Sequence, residues 1–170
     1  MEFKRNINLL ALLNKKSFFL FGPRSTGKSY LIRKQLGNKA LLIDLLKSNF
    51  YLRLNSNPSE LEEIIDGELK NRPFVVIDEI QKIPTLLNEV HRLIESKKIR
   101  FLLTGSSARQ LKHKEANLLG GRAWRAELFP LSWSEIPKFK LDHYLRFGGL
   151  PHVYPSKNPE EELDAYVNIY

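Results

Sequence analysis

Residues Ser17 to Tyr30 read SFFLFGPRSTGKSY, and this stretch decides the fold. A short apolar run stops at Gly22, which opens GPRSTGKS, a full match to the pattern G-x-x-x-x-G-K-[ST]. Gly22 and Gly27 have no side chain and can take a positive φ, so the loop can curl and direct its backbone N–H groups to one point. The following residues, KSYLIRKQL, favour a helix whose N-terminus would face the same point. This arrangement predicts a phosphate-binding loop (P-loop).

The side chains of this loop have predicted roles in holding a nucleotide. Lys28 would reach the β and γ phosphates, and the Ser29 hydroxyl would bind Mg²⁺. A chance glycine-lysine loop explains the match poorly, because the motif needs a buried strand before it and a helix after it, and the sequence has both. The predicted nucleotide-binding residues are Gly22, Pro23, Arg24, Ser25, Thr26, Gly27, Lys28, Ser29 and Tyr30.

A second motif, residues 74–79, reads FVVIDE, four apolar residues followed by two acids. It matches the Walker B form, in which a carboxylate ends a buried parallel strand beside the P-loop. Asp78 would then hold Mg²⁺, and Glu79 would orient and deprotonate the attacking water. The alternative is a pair of acids that cap a helix, and the complete P-loop upstream makes that alternative weak. A hydrolase needs this glutamate, whereas a kinase of small molecules would not.

A third apolar run, residues 99–103, ends in hydroxyl-bearing residues. In P-loop ATPases that have an extra strand between the P-loop and Walker B strands, the tip of that strand carries a polar sensor of the γ-phosphate. Thr104 and Ser106 are the candidates for this sensor. Small turn residues after a strand are an equally good explanation for either one alone.

An arginine just before the last predicted core strand is placed to reach the γ-phosphate of a neighbouring subunit. Arg122 is the first candidate for such a finger, with Arg125 and Arg109 behind it. The alternative, that Arg122 only pairs with a surface acid, has equal weight. A homo-oligomer is therefore one expected assembly.

Length and composition limit the class of protein. The 170 residues are enough for one domain with a core, and 42% hydrophobic with 27% charged residues is ordinary for a globular protein. No apolar stretch approaches the roughly 20 residues of a membrane span, and the N-terminus lacks a signal-peptide pattern. The absence of cysteine excludes disulfides and thiolate metal sites. We therefore expect a cytoplasmic protein that does not contact the membrane.

The net charge of +8 is concentrated near the N-terminus. Residues 1–36 hold eight Lys and Arg residues against the single acid Glu2. A polyphosphate ligand explains Lys28 and Arg24, and the other cations would favour DNA. A solvated basic face is an equally good interpretation, because there is no run of like charges and no series of aromatic residues between them.

These segments predict a three-layer α/β domain with helices on both faces of a five-stranded, mainly parallel sheet. The predicted strands are 17–21, 40–44, 74–78, 100–104 and 124–129. Residues 1–150 would form the core domain, and 151–170 the start of a helical lid or linker. A helix that starts at Pro159 has no stop signal before Tyr170, so we expect a chain cut at a domain boundary.

Five long phrases resemble the prokaryotic ATPases of the AAA+ type whose full-length members carry a C-terminal domain of unknown function. They are GPRSTGKS, VVIDEIQKIPTLLNEVHRLIE, FLLTGSSARQLK, NLLGGRAWRAELFPLSWSE and YLRFGGLP. The resemblance implies strand order 5-1-4-3-2, a phosphate site at Gly22, Gly27, Lys28 and Ser29, and a Mg²⁺ and water site at Asp78 and Glu79. It also implies a C-terminal domain that is absent from this chain. AAA+ proteins often have Asn at the sensor position, where this chain has Thr104 and Ser106.

The sequence thus predicts Mg²⁺-dependent binding and hydrolysis of ATP. One alternative is a nucleotide-gated switch or adaptor that binds ATP tightly and hardly hydrolyses it. The other is a DNA-associated motor domain, which the basic N-terminal third suggests. No element that reads the base is recognisable, so the motifs do not separate ATP from GTP.

Overall fold

A computed structural model of the chain describes residues 2–69, 72–106 and 119–169. Its centre is a five-stranded sheet in the order β2-β3-β4-β1-β5, with every neighbouring pair parallel. The predicted α/β class and the predicted strand order are confirmed. The strands are β1 Ser17–Phe21, β2 Ala40–Asp44, β3 Phe74–Asp78, β4 Arg100–Gly105 and β5 Ala123–Glu127.

Helices cover both faces of this sheet. They are α1 Leu9–Leu13, α2 Lys28–Leu36, α3 Ser48–Ser56, α4 Glu60–Glu68, α5 Leu86–Lys97, α6 Leu141–Phe147 and α7 Pro159–Ile169. The sequence also predicts a short helical pair between Ser107 and Leu119, and this segment falls almost entirely on residues 107–118, which lie outside the described residues. None of the described helices has the length and apolar character needed to cross a bilayer.

The core is divided into two layers by the alternation of side chains along each strand. Phe18 and Leu20 of β1 pack with residues of α1 and α2, whereas Phe19 and Phe21 pack on the other face with residues of α3, α4 and α5. All five residues of β1 are buried, as expected for a central strand of a parallel sheet. The P-loop therefore follows a strand that is fixed from both sides.

The last strand ends earlier than the sequence predicted. It was expected at 124–129, and β5 instead ends at Glu127. The Leu128 N–H still donates to the carbonyl of Phe21 at 2.7 Å, and Phe129 is then exposed. The next residue, Pro130, has no N–H to continue the ladder, which accounts for the departure of the chain from the sheet.

The N-terminal helix is also shorter than its apolar pattern suggests. Apolar residues at helical spacing predict a helix from Asn6 to Lys16, and α1 covers only Leu9–Leu13. The Asn8 side chain accepts a hydrogen bond from the backbone N–H of Ala11 at 2.9 Å and caps the helix, which therefore begins three residues later than expected.

Candidate functional site

The P-loop between β1 and α2 is curled by two residues in the left-handed region. Gly27, immediately before α2, has a φ of 90°, and Ser25 has a φ of 62°. The Thr26 hydroxyl donates to the carbonyl of Pro23 at 2.9 Å and closes the turn. The sequence predicted the role of Gly27 but not the strained backbone of Ser25. A non-glycine residue in this conformation is typical of a binding loop.

Gly22 is needed for a different reason from the one its motif suggests. It is not among the described glycines with positive φ. A Cβ at this position would lie 3.1 Å from the carbonyl carbon of Leu128 and still closer to its oxygen, inside the 3.0 Å limit for real Cβ contacts. The loop therefore leaves β1 in direct contact with the backbone that follows β5.

Lys28, the first residue of α2, is 7% exposed and folds back over the loop. Its ammonium donates to the carbonyl of Gly22 at 2.6 Å and to that of Pro23 at 3.0 Å. Burial lowers the pKa of Lys28, and the negative charges of Glu79 and Asp78 oppose this shift. A buried cation held by neutral carbonyls is poorly compensated, so an anion in the loop would be stabilised here.

Asp78 at the end of β3 is joined to the P-loop helix across the sheet. The Ser29 hydroxyl donates to Asp78 Oδ2 at 2.7 Å, and the Thr104 hydroxyl donates to Asp78 Oδ1. Because β4 lies between β3 and β1, Thr104 at the end of β4 lies between the two motifs. The structure brings together three residues that the sequence predicted separately, and Thr104 and Asp78 are both buried.

Glu79 follows Asp78 with a φ of 63° and a ψ of 46°, a left-handed conformation that a glutamate rarely adopts. Its backbone N–H donates to the Thr104 hydroxyl at 3.0 Å, and its carboxylate accepts a hydrogen bond from the Gln81 amide. The contribution of Gln81 was missed in the sequence. Its position two residues after the acid pair was the available signal.

The oxygen atoms of Ser29 and Asp78 fit a Mg²⁺ site. Magnesium prefers hard oxygen ligands, and it is commonly held by one or two side chains with waters and substrate phosphates filling the remaining positions. A hydroxyl and a carboxylate oxygen 2.7 Å apart beside a phosphate-binding loop supply that kind of partial ligand set.

A cavity of about 440 Å³ lies beside the P-loop, between the N-terminal segment and the chain after β5. Its lining is mainly apolar, with a few polar and charged groups, a composition typical of small-molecule sites. The predicted residues Ser25, Thr26, Gly27 and Tyr30 contribute to it. The remaining lining residues are Glu2, Phe3, Arg5, Leu31, Leu131, Pro151 and His152.

Arg5 is a second residue that sequence reasoning missed. Its guanidinium donates to Glu135 Oε1 at 3.0 Å, to the carbonyl of Thr26 at 2.9 Å and to that of Phe129 at 2.5 Å. Glu135 also accepts from the backbone N–H of Asn6 at 2.8 Å. Burial alone would raise the pKa of Glu135, but the backbone N–H groups of Asn6 and Ser132 and the Arg5 guanidinium lower it. This buried pair fixes the P-loop backbone to two distant segments.

The candidate arginine fingers lie apart from the described P-loop contacts. Arg122 forms an ion pair with Glu95 at 2.5 Å, and Arg125 pairs with Glu127. Arg109 lies outside the described residues. Ser106 follows β4 and is half-buried. A role in a neighbouring subunit stays a prediction for Arg122, and the sensor role stays a prediction for Ser106.

Part of the basic N-terminal third is already engaged within the protein. Arg5 pairs with Glu135, Lys34 pairs with Glu2, and Lys28 lies inside the P-loop. The positive charge that the sequence offers to DNA is therefore smaller than the count of eight cations suggests.

The fold agrees with comparisons to known proteins. Residues 14–137 match a protein-family model described as an AAA domain. A solved structure, domain III from the Thermotoga maritima replication initiation protein DnaA, aligns over 93% of this chain and 78% of its own length, with a TM-score of 0.54 and 14% identity. At that identity the likeness shows the fold.

Two curated relatives also match the sequence. The protein MJ1544 of Methanocaldococcus jannaschii is 29% identical over 167 residues, which cover 85% of this chain and 37% of that protein. A Haemophilus influenzae protein is 25% identical over 163 residues, which cover 83% of this chain and 41% of that protein. This chain thus spans about two fifths of the length of these relatives.

Proposed function

The chain belongs to the AAA domain family and has the fold of a P-loop NTPase, and from this premise we propose that it binds ATP with Mg²⁺ and hydrolyses it. One observation carries the proposal. The Ser29 hydroxyl of the P-loop helix is bonded to Asp78 at 2.7 Å, with Glu79 next in the chain. This contact supports the proposal that the P-loop and the two acids work together as one site.

Binding of the triphosphate would use charge that is already in place. The ammonium of Lys28 would exchange the carbonyls of Gly22 and Pro23 for phosphate oxygens, which compensate a buried cation far better than neutral acceptors do. The N-terminus of α2 would add its unpaired N–H groups. Phosphate binding and compensation of the buried charge therefore both favour movement of the Lys28 ammonium from these carbonyls to the phosphate.

Ser29 and Asp78 are the residues that would hold Mg²⁺, which supplies charge neutralisation between the β and γ phosphates when it is bound. Thr104 donates to the second oxygen of Asp78 and so fixes the orientation of the carboxylate. We assign it this supporting role together with the predicted sensing of the γ-phosphate. Both roles need a hydroxyl at the end of β4.

Glu79 would act on the attacking water. A carboxylate next to the metal-associated aspartate can accept the water's proton and orient its lone pair toward phosphorus. The negative charge of Glu79 raises the pKa of Lys28 against the effect of burial, which supports a position of Glu79 near the P-loop lysine. The nucleophile and the phosphate would thus meet between Glu79 and Lys28.

The cavity beside the P-loop would take the nucleoside. Tyr30 and His152 supply rings, and Leu31 and Leu131 supply apolar surface. Tyr166 of α7 donates to the carbonyl of Arg24 at 3.4 Å. Residues 151–170 are therefore proposed as the start of a lid over the bound nucleotide.

The assembly and the partners of the whole protein also belong to the proposal. Arg122 would complete the site from a neighbouring subunit of a homo-oligomer, after release from Glu95. The curated relatives extend well beyond the length of this chain. We propose that a further domain, fused to this one in the whole protein, is the partner whose state ATP turnover controls.

The decisive experiment is a pair of substitutions tested with MgATP. Lys28→Ala should abolish binding in calorimetry, whereas Lys15→Ala, which removes an exposed lysine before β1, should bind as the wild type does. Glu79→Gln should keep binding and stop phosphate release in single-turnover assays. Normal hydrolysis by Glu79→Gln would contradict the proposed role of that residue. Tight binding by the wild type without turnover would favour a nucleotide-gated switch.

A further inference from the structure

Gln81 lies in the 3-10 turn Ile80–Lys82 that follows β3, and its side chain is aimed back at Glu79. The Nε2 amide donates to Glu79 Oε2. The turn is fixed by the buried side chain of Ile80 and by the Lys82 N–H, which donates to the carbonyl of Glu79 at 3.0 Å. These contacts fix the turn and so hold the Gln81 amide beside the Glu79 carboxylate.

The other atom of the Gln81 amide shows which interaction decides its orientation. Gln81 Oε1 is buried and has no hydrogen-bond partner within the described residues. A rotation of the amide by half a turn would place Oε1 against Glu79 Oε2, and two acceptors repel each other. In this orientation the amide binds the Glu79 carboxylate and leaves its own Oε1 acceptor unsatisfied. A buried acceptor without a partner costs free energy, which is not expected of a residue with only a packing role.

The end of β4 leaves room for this arrangement. A Cβ on Gly105 would lie 2.9 Å from Gln81 Oε1 and 3.4 Å from the ring of Phe21. Any larger residue at this position would push against the amide. The amide of Gln81 therefore packs against Gly105, and Glu79 is held from both ends, at its backbone by Thr104 and at its carboxylate by Gln81.

We infer that Gln81 is a positioning residue, which holds the Glu79 carboxylate toward the P-loop so that it can act on the attacking water. The inference rests on the proposed hydrolysis and goes beyond it, because it gives a role to a residue outside the P-loop and the acid pair. It predicts a loss of turnover with no loss of nucleotide affinity. A purely structural role would affect stability, and affinity and turnover would then fall together.

The test compares three variants for ATP affinity and kcat. Gln81→Met keeps the length of the side chain and removes the donor, and Gly105→Ala displaces the amide without changing Gln81. Each should lower kcat roughly ten- to hundred-fold, the scale of a misplaced reacting group, with affinity within about two-fold of the wild type. Asn88→Met, which replaces an exposed amide on α5, should leave both quantities unchanged.

A double-mutant cycle with Glu79→Asp makes the test specific. The shorter carboxylate cannot reach Gln81, so Gln81→Met should cost much less kcat in that background than in the wild type. Equal losses in the two backgrounds, or unchanged turnover in both Gln81→Met and Gly105→Ala, would overturn the inference alone. Normal turnover by Glu79→Gln would overturn the proposed hydrolytic mechanism as well. That variant keeps Gln81, so its result distinguishes failure of the mechanism from failure of the inference about Gln81.

Discussion

Replacement of Gly22 by alanine tests the closest backbone approach in the site. The new Cβ would lie 3.1 Å from the carbonyl carbon of Leu128, about 0.4–0.9 Å inside the optimal carbon–carbon separation of 3.5–4.0 Å, and still closer to the oxygen. The atoms that must move belong to the backbone, so a change of rotamer cannot relieve the contact. The strain must open the hydrogen bond from Leu128 to Phe21 or shift the P-loop.

Overpacking of this kind costs about 1–3 kcal/mol. For a domain of this size that loss corresponds to a fall in Tm of roughly 3–9 °C. The P-loop backbone moves with Gly22, so we also expect MgATP affinity to fall at least about ten-fold, the equivalent of about 1.4 kcal/mol. Thermal melts and calorimetry on purified protein measure the two effects.

Gly67 offers the matched control for this substitution. It lies in α4, it is exposed, and a Cβ there would meet nothing within 4 Å. Gly67→Ala should raise stability by roughly 0.5–1 kcal/mol, because alanine loses less conformational freedom in a helix. A Gly22→Ala protein that melts and binds MgATP like the wild type would refute the role we give to the Gly22–Leu128 contact.

Two further predictions concern charged residues. The pKa of Glu135 is lower in the folded protein than the ordinary value of about 4.3 for an unfolded chain, so its contribution to stability is present above that value and is lost as pH falls through the folded pKa. Urea unfolding should show that Glu135→Gln is less stable than the wild type at pH 7 and that the difference shrinks toward pH 3; a constant difference would contradict the assignment. Arg122→Ala should leave the free energy of unfolding nearly unchanged, since its ion pair with Glu95 is on the surface and screened by solvent. If Arg122 acts in a neighbouring subunit, a mixture of Arg122→Ala and Lys28→Ala proteins should regain ATPase activity that neither has alone, and no recovery would count against a finger in trans.

The sequence predicts the elements of this fold well because each has a local cause. The apolar runs that became β1 and β3 are buried on both faces, and such strands need no partner to be recognised. The end of β5 was predicted two residues too late because Phe129 continues the apolar pattern. The end of the pairing between β5 and β1 is seen only in the structure, where the bond from Leu128 to Phe21 is followed by the exposed Phe129.

The site was predictable where its chemistry is carried by a motif, and not where it depends on tertiary contacts. Lys28, Ser29 and Asp78 follow from residue type and spacing. Arg5 is 130 positions from Glu135, and no local pattern connects them. The bond from Gln81 to Glu79 is local in sequence, but it depends on the left-handed backbone of Glu79, which residue identity does not predict.

The Arg5–Glu135 pair contributes to the shape of the P-loop. The two side chains are only 8% and 6% exposed, so both charges have lost most of their hydration. A buried pair of this kind contributes little net stability, but removal of one partner leaves a buried charge and costs about 3–5 kcal/mol. Arg5 also donates to the carbonyl of Thr26, so a change in Arg5 would also disturb the P-loop backbone. The pair therefore acts on the geometry of the P-loop more than on stability, since any movement of Thr26 must break a bond to an already desolvated guanidinium.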